Sequence, residues 1–148
     1  MKLVRTVLET ARKHLVTIPD AAPLVEAARL LSEREAGLLV VCGADGRMRG
    51  VITKSDVVRQ ISHCQGCSCT TMIADVMSKE LVVCRPEDRL HDAWLLMKDH
   101  GLKQLPVSND AAEPLGLLSV SDTLEALIKD SEYEESLLRD YVMGIGYR

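Results

Sequence analysis

The stretch Gly50-Val51-Ile52-Thr53-Lys54-Ser55-Asp56 returns as Gly116-Leu117-Leu118-Ser119-Val120-Ser121-Asp122, displaced by 66 positions without a gap. The same displacement pairs Val16 with Val82, Leu24 with Leu90, Ala27 with Ala93, Leu30 with Leu96, Leu39 with Leu105 and Val41 with Val107. A duplication of that extent marks two copies of one structural unit, each burying its apolar face against its twin. With 148 residues and 47% hydrophobic content, the chain is long enough for one globule made of two half-sized units, whereas either half alone is marginal.

Each unit reads β-α-β-β-α. In the first, Leu15 to Ile18 is a short extended segment, and Pro19, Asp20 and Pro23 turn the chain into a helix with the face Leu24, Ala27, Ala28, Leu30 and Leu31. Leu38 to Val41 is a buried strand, Gly43 to Gly46 a hairpin-type turn, Met48 to Ile52 a second strand and Thr53 to Ile61 a helix. The second unit repeats this order: a strand from Leu81 to Cys84, a helix from Asp88 to His100, a strand from Gln104 to Val107, a turn at Asn109-Asp110, a strand from Leu115 to Leu118 and a helix from Ser119 to Lys129. Lys2 to His14 and Glu132 to Val142 space their apolar residues as helices do. Trp94, at an apolar-periodic position, is expected in the core. The organisation is thus an N-terminal helix (1–14), a first repeat (15–62), a connector with a short helical stretch from Thr71 to Met77 (63–78), a second repeat (79–130), and a C-terminal helix and tail (131–148). Alternating strands and helices predict an α/β (α+β) fold of small sheets covered by helices.

A net charge of −4 with interspersed signs offers no basic stripe for a phosphate backbone, so no nucleic-acid partner is expected. No apolar run approaches the ~20 residues that span a bilayer, so no membrane association is expected either. At the N-terminus, Lys2, Arg5, Glu9, Arg12 and Lys13 break up the apolar core that a secretory signal requires. The five cysteines are odd in number, and Cys64, Cys67 and Cys69 crowd together away from Cys42 and Cys84. This argues against a disulfide framework and for a reducing, cytoplasmic compartment.

In the repeated motif a buried strand delivers the chain to Thr53 or Ser119, whose hydroxyl can cap the next helix, and the carboxylate of Asp56 or Asp122 projects from its first turn. An aspartate there can accept two hydrogen bonds from a vicinal diol, as acidic residues do for ribose in other nucleotide sites. Backbone N–H groups at a helix start suit phosphate. Gly50 and Gly116 would let a ligand or the twin unit approach the strand closely. The same spacing also satisfies a simple capping box, and spacing alone leaves both readings standing.

The β-α-β-β-α repeat, with Leu105-Pro106-Val107 in the second unit and Gly-h-h-Thr/Ser-x-x-Asp (h apolar) closing both, resembles the tandem CBS-domain pair, or Bateman module, over roughly residues 10 to 130. The resemblance implies two repeats packed sheet against sheet with pseudo-twofold symmetry, leaving two clefts. It implies a regulatory module rather than an enzyme, needing no cofactor and binding AMP, ADP or ATP, with S-adenosylmethionine and NAD as further adenosyl ligands of the family. It assigns the ribose to Asp56 with Thr53, and to Asp122 with Ser119. The base falls along the first strand of each repeat, here Thr17-Ile18 and Val83-Cys84, and Leu105 and Pro106 belong to the same ligand-binding set. The position two before Leu-Pro-Val commonly supplies a cation for phosphate; Lys103 holds it, in the same unit as Asp122, and Gly37 is its counterpart in the first. The clefts are therefore expected to be unequal. Family modules pair into a flat disc, so a homodimer is expected, with output through a regulated protein that the sequence does not name.

The connector His63-Cys64-Gln65-Gly66-Cys67-Ser68-Cys69 points to a rival function. One imidazole and three thiols are enough for a tetrahedral zinc site, and Cys64-x-x-Cys67 has the spacing of thiol-disulfide exchange, so a metal or redox sensor is the alternative. A closed metal site normally draws on two separated pairs. Cys84 or His14 could contribute only if the fold brings them near, and the plain expectation is that His63, Cys64, Cys67 and Cys69 hold no metal.

Overall fold

The computed structural model describes residues 2–63 and 71–129. A 3-10 turn, Val4–Val7, leads into α1 (Leu8–His14). The first repeat is β1 (Thr17–Pro19), α2 (Leu24–Glu33), β2 (Leu38–Cys42), β3 (Met48–Thr53) and α3 (Lys54–His63). A second 3-10 turn, Ile73–Asp75, precedes α4 (Leu90–His100), β4 (Gln104–Ser108), β5 (Pro114–Ser119) and α5 (residues 120–129). This is the α/β architecture read from the sequence. The C-terminal helix expected from Glu132 to Val142 lies outside the described residues.

Duplication extends to the hydrogen-bond register. In the first sheet β1 runs parallel to β2 and β2 antiparallel to β3, with Leu39 opposite Ile52, Val41 opposite Gly50 and a bulge at Val41/Cys42. In the second, Leu105 opposes Leu118, Val107 opposes Gly116 and the bulge falls at Val107/Ser108. The hairpin turns match too, with Gly46 in the left-handed region at φ 79° and its twin Ala112 held there at φ 63°.

The strand expected over Leu81 to Cys84 does not form. What remains is one parallel bridge, Cys84 to Val107, the counterpart of Ile18 to Val41 in the first unit. The reason is Pro106. In the first unit the Val40 N–H donates to the Val16 carbonyl at 3.0 Å; the equivalent bond to Val82 would need an N–H that proline lacks. The chain instead keeps the bonds from Cys84 N–H to Pro106 O and from Ser108 N–H to Cys84 O.

The cores show how the units depend on each other. Ile18, Leu24, Ala27, Leu31, Leu39 and Ile52 form the first, joined by Ile73 from the segment leading into the second repeat. Leu90, Ala93, Met97, Leu105 and Leu118 form the second, joined by Val4 from the N-terminal segment. Backbone bonds tie down both visitors: Val4 N–H to Asp88 O and Leu90 N–H to Lys2 O on one side, Ile73 N–H to Ala22 O and Leu24 N–H to Thr71 O on the other. Each repeat is thus completed by the segment preceding its twin. Val4 and Ile73 are wholly buried, and burial of such side chains is worth about 1.5–3 kcal/mol each.

A third cluster lies where the sheets meet: Leu38, Val40, Met48 and Leu117, flanked by Leu15, Val51, Leu81 and Val83. Leu15 and Leu81, like Val51 and Leu117, are related by the 66-residue displacement, so the pseudo-twofold axis passes through this apolar layer. Trp94 departs from expectation. It is half-buried on α4, 5.9 Å from the His91 ring and beneath the Lys98 ammonium, where the indole covers surface while its neighbours stay solvated. No helix among the described residues is long and apolar enough to cross a membrane.

Candidate functional site

β3 delivers Thr53 to the start of α3, and the capping box forms in full. The Thr53 N–H donates to Asp56 Oδ2 at 3.0 Å, and the Asp56 N–H donates to Thr53 Oγ1 at 3.2 Å. The carboxylate is not exhausted by this. Its Oδ1 lies 3.5 Å from the exposed Arg59 guanidinium, and Asp56 borders a cavity of about 230 Å³ walled by Val51, Leu81, Val82 and Pro106.

A second cavity of about 380 Å³ adjoins it, sharing Leu38, Thr53, Leu102 and Gln104 and continuing past Lys54, Ser55, Gly101 and Lys103. Together they make one cleft of the size small molecules occupy, ~300–1,000 Å³. Its groups follow a definite order. An apolar pocket comes first, then the Asp56 carboxylate and Thr53, then the start of α3 with two lysines. The helix start adds backbone N–H groups and a positive dipole end.

The structure brings Thr53, Asp56, Lys103 and Pro106 to this cleft. Chain order put Lys103 with Asp122; the fold puts it across from Lys54 and Ser55, with Gly37 on the same rim, because the second repeat contributes walls to the cleft that the first repeat's motif closes. Three expected wall residues are turned inward instead. Ile18, Cys84 and Leu105 are at most 1% exposed and sit in the repeat cores. Val83 packs in the layer between the sheets, and Thr17 faces outward. The wall is formed two residues earlier than expected, by Leu81 and Val82. Lys54 was missed although it stands inside the repeated motif; its replacement by Val120 in the twin is the signal that singles it out.

The second motif is arranged differently. The Asp122 N–H donates to Ser119 Oγ at 3.1 Å, but the Asp122 carboxylate turns to His14, with Oδ2 3.2 Å from Nε2. Asp122 faces a groove beside the N-terminal segment, near Thr6 and Thr10. The glycine of each motif proves to serve the twin's leading segment. A Cβ on Gly50 would lie 2.5 Å from the Ser78 carbonyl oxygen, and one on Gly116 would lie 2.9 Å from the Ala11 backbone.

Burial, reinforced by the nearby Asp88 charge, pushes the Cys84 thiol up to about 12, so it stays protonated and unreactive at neutral pH. Burial raises the Cys42 thiol as well, aided by Asp45 and Asp20. Among the described residues no three His, Cys, Asp or Glu side chains are grouped to hold a metal ion. His63 is the last residue of α3, and Cys64, Cys67 and Cys69 lie outside the described residues. The two proposed helpers are engaged elsewhere, His14 with Asp122 and Cys84 in the second core.

The family model of the CBS domain matches the chain twice, at residues 4–63 and 73–129. Among curated proteins, the chain is 29% identical over 123 residues to a homoserine O-acetyltransferase of Methanohalophilus mahii, covering 83% of this chain and 24% of that one. It is also 29% identical over 126 residues to the mitochondrial CBS domain-containing protein CBSX3 of Arabidopsis thaliana, covering 82% and 60%. The chain therefore spans only about a quarter to three-fifths of these relatives. Among solved structures, CBSX2 in complex with AMP superposes with a TM-score of 0.75 at 20% identity, over 88% of this chain and 99% of that one. The CBS domain pair of MJ0100, in complex with 5-methylthioadenosine and S-adenosyl-L-methionine, gives 0.73 at 17% identity over 88% and 98%. The cytosolic domain of the Mg2+ channel MgtE in complex with ATP gives 0.65 at 22% identity over 76% and 45%. At these identities the likeness is one of fold.

Proposed function

The chain belongs to the CBS-domain family, and from that premise we propose that it is a non-catalytic regulatory module whose ligand, AMP, ADP or ATP, sits in the Asp56 cleft and whose output passes to a separate protein. The order of groups along that cleft supports this reading. Val51, Leu81, Val82 and Pro106 suit the faces of a purine. Asp56, anchored by the Thr53 N–H, offers its free lone pairs to the ribose diol. Lys54, Lys103 and the start of α3 suit phosphate. The adenosyl ligands of the structural neighbours support the class. S-adenosylmethionine and NAD remain secondary candidates, because two cations favour the more highly phosphorylated ligand.

Regulation follows from the construction of the cleft. Thr53 and Asp56 come from the first repeat, Val82, Lys103 and Pro106 from the second, so a bound nucleotide favours the arrangement of repeats in which all of them reach it. Val25 on α2 with Val58 and Ile61 on α3 are each more than half exposed. An apolar surface of this kind fits a second copy of the chain, supporting a homodimer. The unpaired thiols Cys42 and Cys84 suit a reducing, cytoplasmic setting.

Calorimetry on ligand-free protein with AMP, ADP, ATP, S-adenosylmethionine and NAD tests the proposal. Binding is expected, and Asp56→Ala should weaken it by about 1.5–3 kcal/mol, the range for hydrogen bonds to a charged group. Absence of heat with every ligand would refute it.

A further inference from the structure

The two motifs carry the same carboxylate, but the fold delivers opposite partners to it. Gly50 lets Met77 and Ser78 press against β3, and Gly116 lets Ala11 and Arg12 press against β5; Ala11 and Met77 are 66 residues apart, as are Arg12 and Ser78. Two residues beyond each close approach stand His14 and Glu80, again equivalent. Glu80 shares the cleft with Asp56. His14 instead reaches Asp122, its Nε2 3.2 Å from Oδ2.

Glu80 lines the Asp56 cleft and donates nothing, so beyond the Thr53 N–H on Oδ2 and the exposed Arg59 guanidinium 3.5 Å from Oδ1 on its own helix, that carboxylate is left to hydroxyl donors of a ligand. An imidazole nitrogen 3.2 Å from the Asp122 carboxylate stands where the diol would, and makes an ion pair with it when protonated. The neighbouring cations leave this pairing intact. The Lys2 ammonium donates to the Ala126 carbonyl at 3.3 Å, and Lys129 pairs with Glu125 at 3.0 Å. The second motif also has Val120 where the first has Lys54, so phosphate gives less help in displacing the imidazole.

We propose that the residue at this delivered position decides whether each motif accepts a ribose: Glu80 keeps the Asp56 cleft open, and His14 occupies the diol site of Asp122. The inference rests on the adenosine reading above, and it makes His14 a specificity-determining residue rather than part of a surface ion pair.

The test isolates each motif with adenosine as the probe, which removes the phosphate contribution. In an Asp56→Ala background, adding His14→Ala should tighten adenosine binding about two- to fivefold, the factor for a partly exposed ion pair, and Asp122→Ala should abolish the gain. His14→Gln, which keeps an N–H donor without charge, should give a smaller gain. In an Asp122→Ala background, Glu80→His should weaken adenosine by a similar factor while leaving the melting transition cooperative. Unchanged or weaker binding on removing His14, with the wild-type protein binding adenosine normally, would overturn the inference alone. No binding of adenosine or AMP by wild-type protein would overturn the functional reading, and this one with it.

Discussion

Replacing Gly50 by alanine puts a methyl group where the Ser78 carbonyl oxygen already stands, 2.5 Å away, with the Met77 sulfur at 2.9 Å. The sulfur can swing aside, but the oxygen cannot. Ser78 is bonded to β3 in both directions, from Val51 N–H to Ser78 O at 3.0 Å and from Ser78 N–H to Val51 O at 2.9 Å. Relief therefore requires the bridge to open. Overpacking costs about 1–3 kcal/mol and each lost hydrogen bond about 0.5–1.5 kcal/mol. Against this, alanine restricts the unfolded chain, a gain of about 0.4–1 kcal/mol; Gly50 is outside the left-handed region, so no backbone strain is added. The net expectation is a loss of about 2–3 kcal/mol, read from urea midpoints at constant m-value. Gly37→Ala is the control, since its Cβ would meet only the flexible end of Gln104 at 3.2 Å, and should cost under about 1 kcal/mol. A Gly50→Ala protein as stable as wild type would refute the idea that this glycine exists to seat the segment leading into the second repeat.

Lys103→Ala should weaken ATP about tenfold or more and flatten the salt dependence of binding while leaving adenosine unchanged; equal losses for both would make Lys103 structural. Ala112→Gly should raise stability by about 0.5–1 kcal/mol, because the strain of an L-residue at φ 63° exceeds the entropy glycine restores to the unfolded chain; a destabilised variant would contradict this. The Cys84 thiol, raised from 9.0 to about 12 by burial, contributes stability that is complete below pH 9 and lost as pH climbs toward 12, since only the unfolded chain ionises in that window. Wild type should therefore lose about 1.4 kcal/mol more than Cys84→Ala between pH 8 and about pH 10, and parallel urea midpoints for the two proteins would count against it.

The doubling was legible because apolar side chains spaced for burial recur at one displacement, and matching registers and bulges follow from matching patterns. Thr53 and Asp56 were legible for a local reason: a strand running into a helix fixes where its first polar turn points. What escaped notice depends on contacts between units. Periodicity announces that Val4 and Ile73 seek burial but not that each does so in the repeat beyond its own. Lys103 stands in the second repeat along the chain yet borders the motif of the first. The proline at 106 was in plain view, but its missing N–H matters only once Val82 is known to be the acceptor left without it. Alternation alone also could not say whether Val82 or Cys84 faced the cleft, since both lie on the same side of an extended chain.

The central claim is that one cleft, built from both repeats, takes an adenosine nucleotide with its ribose on Asp56. An amide-resolved NMR titration of the ligand-free chain with AMP tests it most directly. Saturable shifts are expected to concentrate at Thr53, Lys54, Asp56, Leu81, Val82, Lys103 and Gln104, and to need about tenfold or more AMP to saturate in Asp56→Ala. No saturable shift at millimolar AMP, or shifts confined to residues away from that cleft, would contradict it.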